Sequence, residues 1–115
     1  MKQIKYSPEA RQDLRNVKKY IKEEWNEEIA QKVMVYLMSQ IRLLERHPEL
    51  GVNISDRFSV VSDYKYLVLK KNYVFYRLED KYVRVIRILS DMQDFMQILF
   101  GIQTQSDEVE DYWID

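Results

Sequence analysis

The stretch from Arg57 to Arg87 concentrates side chains able to do chemistry. Eight bases (Arg57, Lys65, Lys70, Lys71, Arg77, Lys81, Arg84, Arg87) stand against three acids (Asp63, Glu79, Asp80), interleaved with tyrosines and Phe75. Such a surface can stack on bases, pair with phosphates or hold an acidic peptide. In extended segments, alternation sorts these residues by face. Tyr64, Tyr66 and Val68 then oppose Lys65, Leu67 and Leu69, and Tyr73, Phe75 and Arg77 oppose Val74, Tyr76 and Leu78. Further on, Tyr82, Arg84, Ile86 and Ile88 oppose Val83, Val85, Arg87 and Leu89. The same pattern has a purely structural reading. Tyr suits a half-buried pleated surface, and Arg beside Tyr can be a simple cross-strand pair. Spacing alone favours that structural reading.

Other reactive types are sparse. His47 is the only histidine and lies where a helix should end, so dipole capping suits it better than general-base work. No set of His and carboxylates has metal-site spacing, cysteine is absent, and two glycines cannot build a phosphate loop. No cofactor is expected. Trp25 reads as a core or hairpin anchor. Tyr112 and Trp113 read either as a docking peptide or as an ordinary frayed end, and the second is preferred.

The elements that would position these residues follow from periodicity. Gln3 to Tyr6 reads as a first strand. Ser7-Pro8-Glu9 is a helix start, with Ser as N-cap, Pro in the first turn and an acid beside it. Ala10, Leu14, Val17, Ile21 and Trp25 form one apolar stripe. A second helix from Asn26-Glu27-Glu28 carries Ile29, Val33, Leu37, Ile41 and Leu44, and should end near His47 because of Pro48. Tyr64–Lys70, Tyr73–Leu78 and Tyr82–Leu89 read as a three-strand antiparallel meander with tight turns. Asp94–Phe100 adds a short helix. The predicted architecture is α+β: an N-terminal strand and a helical hairpin on one face of a small antiparallel sheet. The opposite face is expected to stand free for a macromolecule.

Composition sets the remaining bounds. The 115 residues, 46% apolar, suit one domain over 1–101 with a tail at 102–115. All 18 Lys and Arg lie between Lys2 and Arg87, whereas the tail has five acids and no base. Residues 1–101 therefore carry +4 (18 bases against 14 acids), too little for a dedicated nucleic-acid binder. The tail is expected to be mobile unless a partner orders it. Met1–Tyr6 has no apolar core of a signal peptide, and no apolar run nears the ~20 residues of a membrane span. A cytoplasmic location is expected.

Three stretches, in this order, resemble the RelE/ParE toxin family of type II toxin–antitoxin systems, also described as plasmid-stabilisation or addiction-module toxins. They are Tyr6-Ser7-Pro8-Glu9-Ala10 with Asp13-Leu14 and Tyr20-Ile21; Ile41–Leu44 with Pro48, Glu49, Gly51 and Arg57; and Asn72–Leu78 with Val85–Leu89 and Asp94. The resemblance implies a helical hairpin on a twisted antiparallel sheet and a growth-inhibiting toxin neutralised by an antitoxin in a hetero-oligomer. RelE-like members cut mRNA in the ribosomal A site, without a metal; ParE-like members poison DNA gyrase.

The ribonuclease reaction needs groups that deprotonate a 2′-hydroxyl, stabilise an anionic pentavalent phosphate and protonate the leaving oxygen. Here the chain departs from the RelE pattern. Ser90 stands where the family often has His. Asp91-Met92-Gln93-Asp94 replaces an Arg-rich segment, and Tyr73 replaces an Arg. Losing a cationic phosphate clamp costs on the order of several kcal/mol of transition-state stabilisation. The remaining catalytic candidates are Lys65, which matches one catalytic Lys, and Arg77, Arg84 and Arg87. Candidates for target or antitoxin binding are Arg57, Tyr64, Tyr66, Tyr73, Phe75 and Arg77. The resemblance thus implies a gyrase-directed toxin first, a ribosome-dependent ribonuclease second, and a non-toxic antitoxin-binding relative third.

Overall fold

In the computed structural model residues 1–90 and 92–101 are described; the acidic tail, with Tyr112 and Trp113, lies outside the described residues. The elements are β1 (Gln3–Tyr6), α1 (Pro8–Glu24), α2 (Glu27–Arg42), a 3-10 turn (Leu43–Glu45), β2 (Val52–Asn53), α3 (Ile54–Arg57), β3 (Lys65–Leu69), β4 (Asn72–Leu78), β5 (Tyr82–Leu89) and α4 (Met92–Phe100). No described helix is long and apolar enough to cross a membrane.

Local chemistry explains the helix starts. The Ser7 hydroxyl accepts from the Ala10 N–H at 2.9 Å, with Pro8 in the first turn, and the Asn26 side chain accepts from the Ile29 N–H at 2.9 Å. Each satisfies a donor that the first helical turn leaves without a partner. The hairpin packs Leu37, Ile41 and Leu44 with Ala10 against Leu67, Leu69, Val74, Tyr76, Val83, Val85 and Ile88 of the sheet. Trp25 departs from expectation. It ends α1 and is 69% exposed, because the chain turns there into α2 and the stripe's last position faces outward.

The sheet has the order β1-β5-β4-β3-β2 and is mixed, not wholly antiparallel. The helical hairpin is a crossover that returns the chain, so β1 pairs parallel to β5, Gln3↔Tyr82 through Tyr6↔Val85. β1 stops at Tyr6 while β5 runs on to Leu89, leaving ladder groups without a strand. The start of α1 supplies the partners. The Ser7 N–H donates to the Val85 carbonyl at 2.9 Å, and the Ser7 hydroxyl donates to the Ile86 carbonyl at 2.7 Å. The Ile88 N–H donates to the Asp13 carboxylate at 2.9 Å.

A bulge corrects the expected alternation of β5. Tyr76 pairs with Val85 but Phe75 pairs with Arg87, so Ile86 is an extra residue. The bulge shifts the phase by one. Ile88 consequently joins Val83 and Val85 in the helix-side core, and Leu89 turns to the other face.

Tyr76 closes the loop after the hairpin. Its buried hydroxyl donates to the Pro48 carbonyl at 2.9 Å and accepts from the Gly51 N–H at 2.8 Å. A Cβ at Gly51 would lie 2.5 Å from that hydroxyl, so glycine is needed for space. Tyr76→Phe should cost about 1–3 kcal/mol, because two backbone groups lose their partner. Burial raises the Tyr76 pKa from 10 to about 12. The folded state therefore prefers the neutral phenol. Its contribution is complete below pH 10 and is lost as pH climbs towards 12. Urea titrations across this window should show a decline in the parent chain that is reduced in Tyr76→Phe; equal slopes would refute the assignment.

Candidate functional site

The face opposite the hairpin is not open along its length. Its aromatic half lies under α4, whose Phe95, Met96, Leu99 and Phe100 form one apolar stripe against Ile54, Tyr66 and Phe75. Phe95 stacks on Phe75 with ring centroids 3.6 Å apart and 5° between planes, and Phe100 meets Tyr64 at 6.1 Å. Phe75 and Tyr66 are buried, and Tyr64 and Tyr73 are half-buried. This corrects the expectation of a free aromatic face. The stripe at 95, 96, 99 and 100 was visible in the sequence, but its partner surface was not.

Of the binding candidates, Tyr64, Tyr66, Tyr73 and Phe75 do come together, as one cluster beneath or beside α4. Arg57 is exposed at the end of α3, away from any ion pair recorded among the described residues. Arg77 sits at the cluster's edge, 5.9 Å from the Tyr64 ring, and its guanidinium bonds Asp63 at 2.8 Å. Its Nε is buried and finds no acceptor among the described residues.

The four catalytic candidates do not converge. Lys65 is buried on the helix side, 3.2 Å from Glu49, with the Gly51 carbonyl at 3.5 Å. Arg87 forms a two-bond pair with Asp13, at 2.8 and 2.9 Å, and Asp13 is itself buried. Donating to that carboxylate raises the Arg87 pKa. Arg84 bonds both Glu79 oxygens, at 2.8 and 3.1 Å, which lowers the Glu79 pKa and raises that of Arg84. Asp13 had appeared in the sequence reading only as part of a resemblance. Its role as partner to Arg87 had no local signal, since 74 residues separate the two.

Where α4 does not reach, the face is cationic. Lys5↔Arg84 and Arg84↔Arg77 are register pairs, so three cations form a row across β1, β5 and β4. Like charges directly opposite one another oppose pairing. Glu79 and Asp63 offset this for the arginines, and the Lys5 ammonium lies 4.2 Å over the Tyr82 ring. Sequence reasoning missed Lys5, because its membership of this sheet depends on the parallel pairing. The row can hold an anionic surface by salt-sensitive contacts; it offers no arrangement around a single reacting atom.

Comparison with known proteins accords with this geometry. A family model described as the ParE toxin of the type II toxin–antitoxin system parDE matches residues 4–95. Among solved structures, the fold is similar to a chain of the chromosomal ParDE system from P. aeruginosa. The TM-score is 0.66 at 21% identity, covering 76% of this chain and 94% of that one. A search among curated protein sequences finds no match. The matched residues run from β1 into α4 and take in the hairpin, the meander and the Asp13–Arg87 clamp. The chain belongs to the ParE toxin family of type II toxin–antitoxin systems.

Proposed function

We propose that this toxin arrests growth by binding DNA gyrase through protein–protein contacts, and that a cognate antitoxin holds it inactive in a cytoplasmic hetero-complex. One observation carries the reading. The cations a ribonuclease would use are divided between the two faces of the sheet, and each is engaged by a carboxylate: Lys65 by Glu49, Arg87 by Asp13, Arg77 by Asp63 and Arg84 by Glu79. A phosphoryl transition state needs such groups aimed together at one developing charge. The departures at Ser90 and Tyr73 point the same way.

The test is expression without antitoxin, read for supercoiling and for mRNA integrity. The expected result is DNA-damage signalling, inhibited supercoiling by purified protein, and intact mRNA at the onset of arrest. Codon-phased mRNA cuts within minutes, with normal supercoiling, would overturn the proposal in favour of the ribonuclease. Unimpaired growth would overturn it in favour of a non-toxic relative. In the Arg77→Ala/Arg84→Ala double variant any loss of toxicity should follow weaker, salt-sensitive binding to gyrase, with mRNA intact in parent and variant alike. Arg87→Ala is a poor probe of chemistry because it breaks the clamp on Asp13.

A further inference from the structure

Helix α1 carries five cations, Arg11, Arg15, Lys18, Lys19 and Lys22, and all five are exposed. At helical spacing they fall within an arc of about 100° and along about 16 Å of axis. The four acids of α1, Glu9, Asp13, Glu23 and Glu24, fall outside that arc, and Asp13 is buried against Arg87. The apolar stripe of the same helix is spent on the core, through Ala10, Leu14 and Val17. The modest net charge of residues 1–101 therefore conceals a strip of one sign.

The strip works against its own helix. Arg11–Arg15, Arg15–Lys19 and Lys18–Lys22 are four residues apart, and Arg15–Lys18 and Lys19–Lys22 three apart. Each of these pairs sets like charges side by side, which disfavours the helix. The helix dipole accounts for Lys22 in the last turn and for none of the others. No carboxylate relieves the repulsion. Among the described residues none of the five is in an ion pair, and Arg15 donates to the neutral Gln12 side chain at 2.8 Å. An external anion of matching length would relieve it.

We infer that this strip is a docking surface for double-stranded DNA, held through phosphates and without reading of bases. Duplex DNA carries one charge per about 1.7 Å of axis, so a rigid cationic line of this length meets several phosphates at once. Between Arg11 and Lys22 the arc holds donors alone. It has no acceptor for the 2′-hydroxyls that mark RNA, and no aromatic ring on which the unstacked bases of a single strand would sit. It has no apolar side chain to enter a lipid surface or to seat in the core of a protein interface. The inference goes beyond the gyrase reading and does not depend on it, since α1 makes the contact whatever the protein target.

The test is fluorescence anisotropy of a labelled DNA duplex of mixed sequence, titrated with the purified full chain at several salt concentrations. Four or five phosphate contacts predict a slope of log K against log salt of about −3.6 to −4.5. Lys18→Gln with Lys22→Gln should weaken binding about ten-fold or more at low salt and shrink the slope by about 2. Arg11→Gln with Arg15→Gln should do the same. Glutamine is a good helix former and both variants remove like-charge pairs, so neither should melt below the parent. Arg46→Gln with Lys81→Gln takes the same charge from exposed loop positions and should leave affinity and slope near those of the parent. Absence of duplex binding at low salt would overturn the proposal, as would an unchanged slope in both strip variants or an equal loss in the loop variant. Tighter binding of an RNA duplex or of a single strand of the same length would overturn it too. Binding to vesicles of phosphatidylserine and phosphatidylcholine without binding to the duplex would replace DNA by a membrane surface.

Discussion

Asp13→Ala is expected to lower the stability of this chain by about 3–5 kcal/mol, the usual cost of removing one partner from a buried ion pair. The carboxylate accepts three hydrogen bonds, two from Arg87 and one from the Ile88 N–H. Its removal strands a mostly buried guanidinium and a backbone donor at once. It also releases the start of α1 from the part of β5 that β1 leaves unpaired. Asp13→Asn separates the two effects. The amide oxygen can still accept from Ile88 but loses the charge, so its cost should fall between parent and alanine. Arg87→Met should also be costly, because it keeps an apolar stem but leaves the Asp13 carboxylate, 8% exposed, with the Ile88 N–H as its remaining partner. In a double-mutant cycle the two losses should be strongly non-additive. Urea denaturation of the four proteins decides this. A loss under about 1 kcal/mol for Asp13→Ala, within the range of exposed pairs, would mean that the clamp is not structural.

Phe95→Ala is the second large effect. The Phe95 ring is fully buried and stacked on Phe75, and Phe-to-Ala changes in cores cost about 3–5 kcal/mol. A nine-residue helix has little stability of its own and owes its form to the surface it covers. Without the anchor, α4 should leave the face before the rest of the fold opens. The loss is then capped by the docking free energy of α4. The expected signature is a moderate fall in global stability with a much larger rise in amide exchange over 94–100 and in dye binding to the uncovered aromatic face. Uniform exchange enhancement across the molecule, with no dye binding, would show that α4 and the sheet open as one unit. The measurement also bears on binding. If Phe75 and Tyr66 ever contact a partner, α4 must move first, and Phe95→Ala should make that contact easier.

What the sequence determined is whatever depends on neighbours in the chain. Ser7-Pro8 and Asn26 set both helix starts through side chains that reach only three residues ahead. The apolar stripe of α2 named Leu37 and Ile41 of its core but also Ile29, which is 37% exposed, and the alternation in β3 and β4 sorted Tyr66 and Phe75 from Leu67, Val74 and Tyr76 correctly. The ordered motifs indicated the family that the comparison then established.

Tertiary structure decided what depends on distant partners. The parallel pairing of β1 put Lys5 beside Arg84, and a bulge at Ile86 reversed the facing of Ile88 and Leu89. Asp13, 74 positions away, became the partner of Arg87, and the aromatic face looked free until α4 folded over it. The physical reason is common to all four. Hydrophobic patterning tells which side of an element avoids water, but not which other element excludes the water. A charged group's role likewise follows from the dielectric and the counter-charge around it, and both are created only when remote segments pack.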